Sequence, residues 1–594
     1  MSDESTFSTY AEIPALPVPR LEDTVRRYLE SVAPLLEPAA YAETEAAAQE
    51  LLAEGGQGRR LHAALEAKAA NADNWLAEWW DDVAYLGAPD PVLINSSWGI
   101  WCDPRQPTDD PAARAAEVTA RTVDYHISIV NETLPPDRAG KAQAPQDMSF
   151  FKRMFGVNRT PGAVKDSLAV YGPDVSRHVV AISGGRVFTL QVLDDDGRCM
   201  SVAELTRAFQ SLIDAAEAEV APEPRVAALT SERRPVWALE RARLQADPAN
   251  AATLEAIETA LFGVYFTGES YDTFNAMARG GVHGRAGDRW MDKAFAYVVD
   301  ARGRVSHHGE HSAFDALQPI AAFDYACDKA QRGVFRAEPA EQKLRDDRPT
   351  PQRRNWALSA ESRAAIDAAV ARFDAQVADF DLEILAFDGF GKNLIKTFKT
   401  GPDPFVQMAY QLAYHRLHGR FPKTYESAAT RGFRLGRTET IRPVTRESTA
   451  FIEAMLDPNS APADRIAKGR AAFETHGRLG AEATAAQGCD RHLLGLKLIA
   501  AALGEEPPKV LTEEIFTRGW ELTTAQIPVK SMMQNTFGPV MPSGYGIGYV
   551  IRGDDLSCSV VAHTSHPDTS AKRFAAAIRA ALEDLRTLFA SEAA

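Results

Sequence analysis

The chain has 594 residues and a formal net charge of −16, with 45% hydrophobic and 25% charged residues. That length exceeds what one hydrophobic core supports and predicts two large domains, in a composition typical of globular proteins. The acidic balance excludes a general nucleic-acid binder, which needs a basic face, but leaves room for a local basic site for a phosphorylated small ligand.

The five cysteines (Cys102, Cys199, Cys327, Cys489, Cys558) are far apart and form no CxxC pair. This spacing predicts free thiols in a reducing compartment, not a disulfide framework or a zinc module. The opening MSDESTFSTYAEIPALPVPR resembles neither a secretory signal nor a transit peptide, and the closing SEAA is no peroxisomal address. No stretch approaches the roughly 18 apolar residues of a membrane span. A cytoplasmic protein without a membrane span is therefore expected.

Residues 21–86 carry apolar positions at three- and four-residue spacing and are expected to be helical. Within them NWLAEWW is expected to pack in a core. Residues 87–110, rich in Pro, Asp and Gly, are expected to form a loop. RHVVAISGGRVFTLQVLD predicts a hairpin turning at Gly184 and Gly185. AFAYVVDARGRVSHHGEH predicts a strand, a turn at Arg302 and Gly303, and a second short strand that places His311 just beyond its end. KLRDDRPTPQRRN reads as an interdomain linker. Long helices are expected over about 359–380, 403–419 and 569–590, and GYGIGYVI and LSCSVVAH pair as a hairpin across RGDD. Strands alternate with helices in both halves, which gives an α/β class.

Several chemistries can be set aside. His307, His308, Glu310 and His311 lie close in sequence, but neither HExxH spacing nor paired Cys/His motifs occur. Adjacent His307 and His308 on a strand point to opposite faces, so no metal site is expected. AFDGFGKN fails as a phosphate loop, because Ala386 replaces its first glycine and Asn393 its Ser or Thr. There remains GEHSAFDALQPI, where His311 precedes Asp315 by four residues. A neutral imidazole is a good base near neutral pH, and Asp315 could orient the loop or meet a cation. Alone, such a pair is common by chance.

Its surroundings are not. The blocks IPALPVPRLEDTVRRYLESVAPLL, NWLAEWWDDVAYL, GEHSAFDA, TYESAATRGFRLGRTETIRPVT, GCDRHLLGLKL, FGPVMPSGYGIGY and AALEDLRTLF together resemble the carnitine/choline acyltransferase family over nearly the whole chain. The resemblance implies an α/β fold of two similar chloramphenicol-acetyltransferase-like domains, each a mixed sheet flanked by helices, with an active-site tunnel at their interface. Residues 1–95 with 350–594 would form one domain, and 96–349 the domain carrying the catalytic histidine.

The same resemblance implies reversible acyl transfer between coenzyme A and the hydroxyl of a quaternary-ammonium alcohol, without an acyl-enzyme. His311 matches the general base and Asp315 the acidic position of its block, with Ala316 where glycine is usual. Lys392 and Lys396 match phosphate-binding positions for coenzyme A, a co-substrate and not a resident cofactor. Asp403 matches an adenine-side acid, and Gln526 joins the coenzyme A set. Tyr425, Ser427, Thr438 and Arg491 match the site for the alcohol's carboxylate, and Phe537 the wall for its trimethylammonium. Arg491 with Thr438 favours carnitine over choline, because a buried carboxylate needs a paired cation. An internal ion pair with an acid such as Asp315 is the alternative for Arg491.

Two departures matter. The family's Ser-Thr-Ser tripeptide is Thr523, Thr524 and Ala525 here, so the third hydroxyl, which would stabilise an oxyanion, is absent, and Thr523 and Thr524 become the oxyanion candidates. Losing one such donor costs about 100- to 1000-fold in turnover. Asn535 stands where the family places its acyl-length gate, and its polar amide favours short acyl groups. The expected partners are acyl-CoA and carnitine, acting on a monomer. Two alternatives stand beside this: an acyltransferase of the same fold using choline or another hydroxyl or amine acceptor, and a silent acyl-CoA binder.

Overall fold

The computed structural model describes residues 4–95, 97–102, 108–219, 221–331, 350–527 and 532–593. Three N-terminal helices, α1 (Leu21–Val32), α2 (Pro38–Glu50) and α3 (Gln57–Ala69), open the fold. In α1, Leu21, Val25, Tyr28, Leu29 and Val32 form the buried stripe, and Glu22 and Asp23 occupy the first turn, where the helix dipole favours acids. The stripe packs in one core with Leu61, Leu65 and Trp75 and with Leu493 and Leu496 of a helix late in the chain. The N-terminal helices thus lie against the C-terminal half.

The first sheet has eight strands. In chain order they are β1 (Ser97–Cys102), β2 (His178–Ser183), β3 (Arg186–Gln191), β4 (Gly263–Phe266), β5 (Phe295–Val299), β6 (Val305–Glu310) and β7 (Gln352–Arg354), with β12 (Met532–Thr536) joining from far downstream. The second sheet contains β8 (Phe380–Phe387), β9 (Thr424–Ala429), β10 (Thr438–Ile441), β11 (Leu522–Gln526), β13 (Tyr545–Ile551) and β14 (Leu556–His563). The spatial orders are β7-β3-β2-β4-β5-β6-β1-β12 and β8-β14-β13-β11-β9-β10. In each sheet a hairpin edge leads into three parallel strands (β2, β4, β5 and β9, β11, β13), followed by two antiparallel ones (β6, β1 and β14, β8). One topology is therefore used twice. This is the α/β class expected, with two mixed sheets flanked by helices.

The helices that matter below are α4 (Pro111–Val130), α5 (Leu317–Gln331), α6 (Ala360–Ala378), α7 (Lys392–Thr397), α8 (Pro402–His418), α9 (Pro462–Thr484), α10 (Asp490–Ala502) and α11 (Ala571–Ala593). In α8 every residue from Phe405 to Tyr414 is buried, the mark of a helix enclosed on all sides. Pro402 starts it, and Gly419 ends it in the left-handed conformation. The β2–β3 hairpin turns at Gly184 and Gly185, both at positive φ, as a tight two-residue turn requires.

Three expectations need correction. The loop expected over 87–110 contains β1, where the alternating Trp98-Gly99-Ile100-Trp101 pairs with β6 and β12; Pro and Asp on either side mask its strand pattern. The linker KLRDDRPTPQRRN ends in β7, paired with β3, while its residues before 350 lie outside those described. Cys327 is in a disulfide, whereas Cys489 and Cys558 are free thiols. The strands β7 and β12 also carry chain from beyond residue 350 into the first sheet.

Candidate active site

His311 follows the last residue of β6. Its Nδ1 lies 3.1 Å from the Phe314 carbonyl oxygen. A carbonyl only accepts, so Nδ1 carries the proton and Nε2 the lone pair. Among the described residues Nε2 has no hydrogen-bond partner, and the side chain is 32% exposed. Two aromatic rings fix the imidazole: Tyr85 stacks at 4.9 Å between centroids, and Trp98 meets it edge-on at 4.8 Å. Trp98 reaches this position because residue 309 is glycine; a Cβ there would fall 2.3 Å from the indole.

The loop after β6 is braced by charge. Arg437, immediately before β10, lies 3.1 Å from Asp315 and 2.7 Å from Asp81 while only 3% exposed, and its Nη2 donates to the His311 carbonyl at 2.9 Å. On the other side Arg159 donates to Glu310 at 2.8 Å and to the Tyr85 carbonyl at 2.8 Å, and Ser312 closes on Glu310 through its hydroxyl. Burial, and secondarily Arg437, hold the His311 imidazole below its ordinary range, although Asp315 pulls the other way. Burial alone would raise the Asp315 carboxyl, but Arg437 and His311 outweigh it and hold it low. The result is a neutral imidazole beside an ionised carboxylate.

Register sets the opposing wall. Tyr425 pairs with Thr523, Ser427 with Thr440 and Ala429 with Thr438. Side chains alternate along strands, so Tyr425, Ser427, Thr438 and Thr523 share one face of the second sheet. Arg491, in the first turn of α10, donates from Nε to the Thr438 carbonyl at 2.9 Å, with Nη2 3.3 Å from its hydroxyl. Its guanidinium lies 3.8 Å from the Trp80 ring centroid. The suggested ion pair of Arg491 with Asp315 is not formed, because Arg437 occupies that carboxylate. A small cavity of about 20 Å³ is lined by Trp80, Arg437, Thr438 and Arg491. A larger cleft of about 600 Å³, between α1, α2 and α9, includes none of the candidate residues.

The two oxyanion candidates separate. Thr524 points to the opposite, helix-covered face, where its hydroxyl donates to the Tyr425 carbonyl at 3.0 Å and accepts from Gln407 at 2.9 Å. Thr524 is thus corrected to a structural role. Thr523, 7% exposed, has a hydroxyl without a partner, an arrangement that costs about 1–3 kcal/mol unless something fills it. Phe537 follows β12 and packs on the core that holds Trp98.

Lys392 and Lys396 occupy one exposed face of α7, four residues apart, with no ion pair to either among the described residues. The backbone N–H groups of Lys392 and Asn393 donate to the carbonyls of Arg552 and Gly553, just beyond β13. From the Gly546 level of β13, which pairs with Thr523, to Arg552 is about 20 Å at the usual strand rise. Gln526 pairs with Tyr549 between the two ends. Asp403 does not face the lysines freely: Tyr549 donates to it at 2.6 Å. Asn535, 3% exposed, has an amide oxygen without a partner and presses against Gly548 of β13, where a Cβ would fall 2.6 Å from it.

The other histidines take no part. His307 lies among Phe295, Tyr297 and Phe323, while His308 turns the other way to the Gly281 carbonyl. Sequence reasoning missed Tyr85, Trp80, Trp98, Arg159 and Arg437. Trp80 sits in the aromatic block NWLAEWW expected to pack in a core, where Trp75 is indeed buried; Tyr85 lies five residues further on in the stretch expected to be helical. Arg437 was adjacent to Thr438 in a recognised block and carried the signal of a charge beside a candidate site.

The chain belongs to the Choline/Carnitine o-acyltransferase family, whose model matches residues 16–580. Human liver carnitine O-palmitoyltransferase 1 is 33% identical, over 98% of this chain and 78% of that protein. Carnitine O-acetyltransferase of Columba livia is 31% identical, over 98% and 94%. Among solved structures, the first condensation domain of the CDA synthetase aligns over 87% of this chain and 94% of that one, at 10% identity and a TM-score of 0.37. Among the described residues no helix is long and apolar enough to cross a membrane.

Proposed function

We propose that the protein transfers a short acyl group reversibly between coenzyme A and the hydroxyl of carnitine, directly and without an acyl-enzyme. The carrying observation is the His311 ring: Nδ1–H is bound to the Phe314 carbonyl, and Nε2 has no hydrogen-bond partner among the described residues, on a side chain 32% exposed. Nε2 takes the proton from the carnitine hydroxyl in one direction and from the coenzyme A thiol in the other. Asp315, ionised and held by Arg437, stabilises the imidazolium that forms. As the hydroxyl oxygen attacks the thioester carbonyl, the oxyanion is met by the unpartnered Thr523 hydroxyl, which takes the place of the family serine replaced by Ala525; collapse then breaks the C–S bond, and the leaving coenzyme A thiolate takes the proton back from Nε2 of His311.

Lys392 and Lys396 bind the 3′-phosphate of coenzyme A, with Asp403 and Gln526 beside the nucleotide and its arm. The arm runs along β11 and β13, the span between the lysines and Thr523. Arg491 and Thr438, with Tyr425 and Ser427, receive the carnitine carboxylate, and Phe537 faces the trimethylammonium. Both a palmitoyl- and an acetyltransferase are relatives, so acyl length rests on Asn535. Its buried amide, wedged against Gly548, closes the space a long alkyl chain would need and offers it a polar wall. The domain division proposed is 1–95 with 350–594 against 96–349.

The test is thiol release by the purified protein from acetyl-CoA with carnitine, choline or water. Release with carnitine only supports the reading. Release with choline instead moves the acceptor to the alternative, and coenzyme A binding without release to any alcohol leaves a silent binder.

A further inference from the structure

On the helix-covered face of the second sheet lies a polar cluster that the chemistry above does not use. Glu426, next to Tyr425 on β9 but pointing the opposite way, meets His476 of α9 at 2.7 Å, and both side chains are almost fully buried. Asp403, in the first turn of α8, lies beside Glu426, and the ligating atoms of all three lie within 4.8 Å of one another. Tyr549 of β13 donates to Asp403 at 2.6 Å and accepts from Gln407 at 3.0 Å. Gln407 continues to Thr524, which is bound to the Tyr425 carbonyl. Hydrogen bonds thus tie α9 to β9, and α8 to β13, β11 and β9, with the Glu426 and Asp403 carboxyls side by side between them.

Two carboxyl groups held within 4.8 Å of each other away from solvent repel strongly unless the cluster keeps a proton. We infer that Glu426 and His476 are positioning residues: with Tyr549 they hold Asp403, and through it the first turn of α8 and the lysine-bearing α7 before it, against the strands, by means of a proton retained inside the cluster. Asp403 is the member of the cluster at a helix start, and just four residues lie between Thr397, the end of α7, and Pro402, the start of α8. Loosening that turn loosens the lysines.

Of the titratable groups packed on Glu426, Asp403 favours a proton on its carboxyl and His476 opposes it, but burial with Asp403 outweighs His476. Burial and the Asp403 carboxylate push the Glu426 carboxyl up to about 8. Burial works against the His476 imidazolium, but Glu426 and Asp403 hold it above its ordinary value. Tyr410 of α8 and Tyr549 are raised by burial and add no charge below alkaline pH. Cys558 of β14, beyond Tyr410, is likewise kept neutral by burial. A raised carboxyl contributes its full stability at acid pH and loses it as pH rises through about 8. Above that point two carboxylates oppose each other and the Asp403 tie opens.

The experiment is hydrogen–deuterium exchange of the full-length protein across residues 392–406 between pH 6 and 9.5, corrected for intrinsic rate. A loss of protection centred near pH 8 is expected in the wild type. Glu426→Gln, which can still donate to Asp403 but cannot ionise, should remove that step, as should Asp403→Asn. Glu439→Gln, a buried acid outside the cluster, should leave it. Retention of the step in both Glu426→Gln and Asp403→Asn, or its absence from the wild type, overturns the inference. A second readout rests on coenzyme A as the ligand: its KM should rise roughly tenfold per pH unit above the step in the wild type, the change one linked proton produces, and stay flat in Glu426→Gln. An exchange step with no coenzyme A binding at any pH would reject the ligand and keep the network.

Discussion

Arg437 reaches across from the second sheet to His311, donating to its carbonyl oxygen at 2.9 Å while its ring neighbour Tyr85 lies 4.8 Å beneath the guanidinium. One buried cation therefore fixes the backbone of the candidate base, the carboxylate beside it and the ring stacked on it. Removing this cation leaves the Asp315 carboxylate without its guanidinium and Asp81 with Arg153 alone. Arg437→Met should lower stability by about 3–5 kcal/mol, read as a shifted denaturant midpoint. Arg437→Lys should remain folded yet lose turnover by more than tenfold, because a single ammonium cannot bind Asp315, Asp81 and two carbonyls at once. Wild-type turnover in Arg437→Lys would show that the loop is held without it.

The two threonines of β11 should behave oppositely. Thr523→Val removes a hydroxyl with no structural partner, so folding stability should change little while turnover falls about 100- to 1000-fold. Thr524→Val breaks the link between Gln407 and the Tyr425 carbonyl, so it should cost about 1–3 kcal/mol of stability with a smaller effect on turnover. Urea denaturation and steady-state rates on both variants check the pair. The reverse pattern would move the oxyanion role to Thr524.

Arg491→Asn should raise the KM for carnitine by about 30- to 1000-fold, the effect of about 2–4 kcal/mol in a lost charge-assisted contact, and leave that for acetyl-CoA unchanged. Equal changes in both would make Arg491, bound as it is to the Thr438 carbonyl, a structural residue.

The pH profile follows from the same geometry. The His311 imidazole is held below its ordinary value by burial, and its neutral form is the base. Activity should therefore persist as pH falls through about 6.5 and be lost only at lower pH. The neutral ring's contribution to stability is present above the unfolded value and disappears over the same acid range. Asp315→Asn removes the neighbour that most favours the imidazolium, so the acid limb of kcat/KM should move lower still. A limb that moves upward would contradict the assigned electrostatics.

Much of the fold could be read from local chemistry. The Gly184–Gly185 hairpin, the enclosed helix from Pro402 and the position of His311 beyond a strand end all follow from periodicity and turn residues. Other features depend on distant pairing that no local pattern encodes. The strand Ser97–Cys102 is hidden by its Pro- and Asp-rich flanks and gains its ladder from the distant β6 and β12. The strand Met532–Thr536 leaves its own sheet to complete the other. For the site, motif resemblance named the groups that would touch substrate, and the structure added those that hold them. Arg159, Trp98 and Arg437 act through His311 from far away in sequence, and the glycine that admits Trp98 looks ordinary until the indole is placed.

The most direct test is His311→Ala, assayed by thiol release from acetyl-CoA with carnitine, alongside calorimetric titration with coenzyme A. The account predicts that turnover falls by at least about 100- to 10,000-fold, the usual worth of a general base, with coenzyme A affinity within twofold of wild type. Turnover within tenfold of wild type, with the same acceptor, would contradict it.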